Sequence, residues 1–191
     1  MPVRRFQSLG FLAIFALAGC ATGAGSKEMA LGAVPSAHFP EPLHGAMCVP
    51  KVTGGQATYL LGMSEIGNGN LRKALAESLA ANGLLAAGDG FGMGSACRFV
   101  VSADILEVNQ PFFGFDLKVT THVHYSVGDP PPAAILLDRT VTAYGIARFR
   151  DSPIGVIRLR LANEAAMRAS IAKFLKLLAE LTVPPAAMPN S

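Results

Sequence analysis

The chain has 191 residues, of which 51% are hydrophobic and 15% are charged, and its formal net charge is +3. Arg4 and Arg5 lie in the first 19 residues, which contain no acid, so the remaining 172 residues carry a net charge of only +1. This balance argues against a nucleic-acid-binding protein, and the length allows one domain with a sizeable core. After the first 19 residues no apolar run reaches 18, which argues against a protein with several membrane spans.

The first 19 residues have the layout of a bacterial secretory signal. Two arginines precede an apolar run over residues 9–18 that is too short to span a membrane. The run ends in Leu17-Ala18-Gly19 directly before Cys20, a tetrapeptide that resembles the bacterial lipobox. The resemblance implies cleavage before Cys20, a diacylglycerol on its sulfur and usually an amide-linked acyl chain such as palmitate. The alternative is an ordinary secreted protein with a cysteine at this position.

Two or three acyl chains would hold the protein stably on a bilayer without crossing it. Ala21 follows Cys20, where an acidic residue would stand in the sorting pattern for retention at the inner membrane of Gram-negative bacteria. By that pattern the expected location is the cell envelope, on the inner leaflet of the outer membrane and facing the periplasm.

Cys48 and Cys97 remain once Cys20 is acylated. The envelope is an oxidising compartment, so a disulfide between them is the first expectation. Two free thiols, or a metal site, are the alternatives. Neither cysteine belongs to a C-x-x-C motif, which disfavours a redox or zinc centre.

The composition divides the chain into four parts. Residues 1–19 are the signal, and residues 20–47, rich in Gly, Ala, Ser and Pro, are predicted as a flexible lipid-anchored linker. Residues 48–183 are predicted to form a single domain, followed by a disordered tail over residues 184–191.

Hydrophobic periodicity predicts six elements in this domain. Period-two alternation predicts strands over residues 57–63, 97–107, 115–127 and 138–149. Helical spacing predicts helices over residues 71–82, with Asn68-Gly69-Asn70 as an N-terminal cap and Gly83 as a stop, and over residues 158–181. Residues 84–96 contain four glycines and are predicted as a loop. The order β-α-β-β-β-α predicts an α+β fold, a two-layer sandwich with two helices on one face of a mostly antiparallel four-stranded sheet.

This order resembles a known group of proteins. The lipobox, the linker, the helix LRKALAESL at 71–79, the long hairpin and the terminal helix carrying ANEAAMR at 162–168 are similar to small envelope lipoproteins of the lipopolysaccharide-assembly and ABC-transport auxiliary types. The resemblance implies a non-enzymatic protein without a cofactor, which binds a partner protein in envelope assembly or lipid transport. It carries over no binding residue beyond Cys20. An acyl-chain pocket between the helices and the sheet is a further possibility.

The predicted hairpin tip is aromatic. Phe112, Phe113 and Phe115 lie where the chain would normally meet water. Exposed aromatic side chains mark a partner or membrane surface, so these residues are predicted to contact a partner protein or lipid. The alternative is that they fold beneath the sheet or the long helix.

His122 and His124 are two residues apart in a predicted strand and therefore lie on the same face of it, a spacing found in some metal sites. Asp104 or Asp116 could supply a third ligand, which gives the alternative function of a metal-binding periplasmic protein. Without such a ligand, the two histidines belong to a hydrated sheet face.

Four arginines, at 148, 150, 158 and 160, surround the junction between the last strand and the last helix. A positive charge at a helix start opposes the helix dipole, which suggests anionic lipid headgroups or an acidic partner as their target. Solvated surface charge is the alternative.

Overall fold

The structure is a computed structural model, and it describes residues 23–56, 65–88, 97–111, 113–129 and 135–183. Two long helices and four strands make up most of this part of the chain. Their bounds are β1 (Met47–Thr53), α2 (Asn68–Ala81), β2 (Phe99–Asn109), β3 (Leu117–Gly128), β4 (Ile135–Ala147) and α3 (Gly155–Ala179). A one-turn helix, α1 (Ser26–Met29), and two 3₁₀ turns, Glu41–Leu43 and Phe149–Asp151, complete the set.

The four strands form one sheet in the order β1-β2-β3-β4. β1 pairs with β2 in parallel, and the other two pairs are antiparallel. A parallel pair needs a crossover, which the segment containing α2 provides. The predicted α+β fold with a mostly antiparallel four-stranded sheet is therefore confirmed.

One face of the sheet is buried because the strand sequences alternate. Along β3, Val119, Val123 and Tyr125 are buried, and each is followed by a more exposed residue. The apolar sides of both helices pack on this face. Leu75 of α2 and Phe174 of α3 belong to the same apolar cluster as the buried strand residues. The predicted packing of the two helices is thus confirmed.

Tyr125 lies at the centre of this core. Its ring stacks on Phe174, with centroids 4.5 Å apart, and its hydroxyl lies 3.0 Å from the Ser170 hydroxyl. Burial raises the pKa of Tyr125 well above its usual range. The side chain is therefore a neutral hydrogen-bonding group at neutral pH.

The start of α2 differs from the prediction. The helix begins at Asn68, and no side chain caps it. Asn68 instead accepts the Gly55 N–H at 2.7 Å, and Asn70 donates to the Ala24 carbonyl at 2.8 Å. These asparagines were predicted as a cap, but they tie neighbouring segments to the helix. The predicted stop at Gly83 agrees with its positive φ of 70°.

The first strand lies earlier in the chain than predicted. The strand predicted over residues 57–63 falls outside the described residues, and β1 occupies Met47–Thr53. Pro50 and the consecutive buried residues at the start of β1 break the alternation that would have indicated a strand.

Residues 23–47 pack against the domain, in contrast to the flexible linker predicted there. Met29 and Leu43 are completely buried, and the Leu31 N–H donates to the Ser78 hydroxyl at 2.9 Å. A few large apolar side chains are enough to fix a segment whose average composition is that of a linker. The folded part therefore begins well before residue 48.

Cys48 and Cys97 form a disulfide, with Cα atoms 5.7 Å apart. The bond joins the beginning of β1 to the residues just before β2. Of the alternatives left open by the sequence, the structure shows the disulfide.

Candidate functional site

An exposed aromatic cluster lies at the β2–β3 connection and the adjacent start of α3. Phe113 is 90% exposed and Phe115 is 78% exposed, while Phe149 and Ile154 are about half exposed at 49% and 52%. The rings of Phe115 and Phe149 meet edge to face, with centroids 5.8 Å apart. We call these four residues the aromatic tip. Phe112 lies outside the described residues.

Arg158 holds the aromatic tip in place from beneath. Its side chain is only 6% exposed and donates to the carbonyls of Ser152 at 2.7 Å and Gly114 at 3.0 Å. The guanidinium also lies 5.2 Å from the centre of the Phe149 ring. One side chain thus joins the hairpin, the 3₁₀ turn and the start of α3.

The four arginines at this junction have different roles. Arg158 is structural, and Arg160 contacts the buried Glu164 carboxylate at 3.6 Å. Arg148 and Arg150 are exposed, and Arg150 lies 3.9 Å from Asp151. Only Arg148 and Arg150 therefore match the predicted outward-facing charge.

The sheet face opposite the helices is not covered by any described element. We call it the open sheet face. It carries polar side chains together with Tyr144 and Ile146 from β4, both of which are exposed. The Lys118 ammonium lies 4.7 Å from the centre of the Tyr144 ring. Its other members on β2, β3 and β4 include Ser102, Asp104, Thr120, His122, His124, Thr140 and Thr142.

His122 and His124 lie on this open sheet face, each next to a threonine and an acid. His122 lies 3.0 Å from the Thr142 hydroxyl and 4.0 Å from Glu107. His124 lies 3.2 Å from Asp138.

The two aspartates suggested as metal ligands have other partners. Asp104 accepts from the Thr53 hydroxyl at 2.8 Å, and Asp116 accepts the Phe149 N–H at 3.2 Å. Among the described residues, no three His, Cys, Asp or Glu side chains come together as metal ligands would.

Glu164 fixes the beginning of the folded chain on α3. Its carboxylate is buried and accepts the Gly25 N–H at 3.0 Å. Burial raises the pKa of Glu164, while the Gly25 hydrogen bond and the nearby Arg160 oppose that rise. Arg168 also donates to the Glu28 carbonyl. These contacts fix Gly25 and Glu28 against α3.

The roles of Glu164 and Arg158 were not predicted from the sequence. Both lie in α3, where a charged residue was expected to face solvent. The signal available for Arg158 was its position in the first turn of a helix, where a cation is unfavourable unless it has specific partners. For Glu164 the sequence gives no comparable signal, because its partner lies 139 residues away.

The Cys20 anchor site lies outside the described residues. Within the described ranges, no helix has the length and apolar character needed to cross a bilayer.

No family model matches the sequence, and no curated protein matches it. Comparison with solved structures finds several matches at low identity. A Xanthomonas campestris protein of the DUF330 family has a TM-score of 0.54 at 10% identity, over 83% of this chain and 95% of that one. A candidate lipoprotein of Caulobacter crescentus has a TM-score of 0.45 at 16% identity, over 69% of this chain and 88% of that one. A minor lipoprotein of Acinetobacter baumannii has a TM-score of 0.41 at 12% identity, over 75% of this chain and 100% of that one. At such identities the Xanthomonas match shows the fold alone.

Proposed function

We propose that this protein is a lipid-anchored lipoprotein of the bacterial envelope that binds a partner protein and catalyses no reaction. The anchor is Cys20, which follows Leu17-Ala18-Gly19. The domain would face the periplasm, on the inner leaflet of the outer membrane, as a component of envelope assembly or lipid transport.

The open sheet face carries the binding part of this proposal. A four-stranded sheet with helices on one side leaves its other side for solvent or a partner. Here that side presents Tyr144 and Ile146 among threonines and histidines. Aromatic residues are enriched in protein interfaces, and short polar side chains around them form the rim.

No observation favours the metal-binding alternative for His122 and His124. Their ring nitrogens have threonine and carboxylate neighbours within the sheet. The His122 Nε2 atom lies near Glu107 on β2 and the His124 Nε2 atom lies near Asp138 on β4, so the two atoms face opposite neighbouring strands. We therefore propose no metal site on this face.

Site-specific photo-crosslinking in native membranes tests the proposal. The full chain would carry a photoreactive amino acid at Tyr144, or at Lys73 on the exposed side of α2 as a control. We expect one discrete protein to crosslink at Tyr144 and not at Lys73. We also expect an added Ile146→Glu change to remove the product, because it places a charge in the same patch. Equal crosslinking at both positions, or a product that survives Ile146→Glu, would refute a specific interface on this face.

A further inference from the structure

The connections that follow β1, β2 and β4 meet at one end of the sheet. β1 and β2 are parallel, so they end on the same side. β3 is antiparallel to β2 and therefore begins at this end of the sheet. β4 is antiparallel to β3 and therefore ends at it. The aromatic tip is formed at this end, by the β2–β3 connection and the segment between β4 and α3.

The first described residues of the chain lie in the same half of the domain. Ala24 is completely buried, and its N–H donates to the Glu65 carbonyl at 3.2 Å just before α2 begins. Gly25 is bound to Glu164, which lies nine residues into α3, or about 14 Å along the helix from its start. The chain is therefore fixed at Ala24.

The distance from this fixed point to the lipid is short. Cys20 precedes Ala24 by four residues, and a fully extended chain spans at most about 14 Å over that length. This reach is about the same as the distance from Glu164 to the start of α3. A diacylated Cys20 would therefore hold the bilayer surface close to the end of the sheet that carries the aromatic tip.

We infer that the aromatic tip is a second membrane contact, seated in the interfacial region of the bilayer that holds the lipid anchor. The inference rests on the proposed acylation of Cys20. The four apolar side chains are exposed to water in the free domain, and Arg158 holds the segments that carry them. Side chains fixed in this way lose little conformational entropy when they enter a bilayer.

The length of the tether favours lipid over protein at this surface. A folded domain of 100 residues has a radius of gyration of about 13 Å, so its width exceeds twice the reach of the tether. A folded partner does not fit between the aromatic tip and the bilayer. Arg148 and Arg150 flank the tip and can approach lipid phosphates, although Asp116 and Asp151 at the same junction reduce the net positive charge.

The chain contains no tryptophan, so one introduced tryptophan reports its own depth in a membrane. The probe is Phe113→Trp in the full-length protein, purified from membranes and reconstituted into phosphatidylethanolamine–phosphatidylglycerol vesicles containing brominated lipid. The matched control is Ile135→Trp, because Ile135 is also an exposed apolar residue. Ile135 begins β4 at the opposite end of the sheet, about 40 Å from Ala147 at 3.3 Å per residue.

We expect strong quenching and a blue-shifted emission for Phe113→Trp, with neither effect for Ile135→Trp. Adding Phe115→Ser should reduce the quenching of Phe113→Trp at least twofold. Equal quenching at the two positions, or none at Phe113→Trp, would overturn the inference, and so would crosslinking of the tip to a protein rather than lipid. Mass spectrometry of the same preparation reports acylation separately. Acylated protein without quenching contradicts only the membrane contact, whereas unacylated protein contradicts the proposed anchor.

Discussion

Replacing Arg158 with alanine should destabilise the domain and loosen the aromatic tip. The side chain donates two charged hydrogen bonds, to the carbonyls of Ser152 and Gly114, and packs on the Phe149 ring. Removing the guanidinium leaves both carbonyls without this donor.

The magnitude follows from the burial of the group. Each hydrogen bond from a charged donor contributes about 1.5–3 kcal/mol, and a cation–π contact adds about 0.5–2 kcal/mol. The variant no longer has to bury a charged guanidinium, and this avoided desolvation penalty offsets part of the lost stabilisation. We therefore expect Arg158→Ala to lower the free energy of unfolding by about 3 kcal/mol. With a urea m-value of about 2 kcal/mol/M, the unfolding midpoint falls by about 1.5 M.

The assay is urea unfolding of wild type, Arg158→Ala and Arg150→Ala. Arg150 is an exposed arginine in the same connection, so its removal should change stability by less than about 0.5 kcal/mol. Hydrogen exchange of the amides around Gly114 should also be faster in Arg158→Ala. Equal midpoints for the two variants, or an unchanged exchange rate at the tip, would refute the structural role of Arg158.

Three further predictions concern the core and the start of the chain. Reduction of the Cys48–Cys97 bond should lower the free energy of unfolding by about 4 kcal/mol, as a loop of about 50 residues implies. A melting temperature unchanged by reductant would contradict this. Tyr125→Phe should lower the free energy of unfolding by about 1 kcal/mol, because the Ser170 hydroxyl loses its partner. The double variant with Ser170→Ala should lose less stability than the sum of the two single losses. Strict additivity in urea unfolding would contradict the hydrogen bond. The folded-state pKa of Glu164 is raised above 4.5, so its favourable contribution is present below the unfolded pKa and is lost as pH rises through the folded one. Wild type should therefore lose stability relative to Glu164→Gln between pH 4 and pH 7, and a relative gain over that range would show that the sign is wrong.

The antiparallel part of the fold was predictable because its sequence is locally consistent. In β3, apolar and polar residues alternate over the whole strand, and burial follows the same alternation. The two long helices were predictable for the same reason, since their apolar stripes repeat at helical spacing. Each of these elements could be located from its own residues.

The parallel strand and the packed N-terminal segment could not be located in this way. β1 contains Pro50 and three consecutive buried residues, so its pattern is not that of a half-exposed strand. Residues 23–47 have a linker-like composition, but Met29 and Leu43 occupy positions in the core. Both features depend on partners distant in sequence, which local periodicity does not reveal.

The candidate site also contains some residues that the sequence predicted and others that it did not. The exposure of Phe113 and Phe115 was predicted from their place in a hairpin connection. The contributions of Phe149 and Ile154 were not, because they follow β4 and reach the hairpin only through the sheet register. The link between the anchor and the tip depends on Ala24 and Glu164, which only the three-dimensional structure brings to the same half of the domain.

The proposed membrane location depends most directly on the chemistry of Cys20. Intact-mass and peptide mass spectrometry of the protein extracted from membranes of the native bacterium measures it. We predict a mature chain that begins at Cys20 and carries a thioether-linked diacylglycerol, with a further acyl chain on its amino group. A mature chain that begins at another residue, or a Cys20 sulfur without lipid, would contradict the membrane anchor and with it the proposed location.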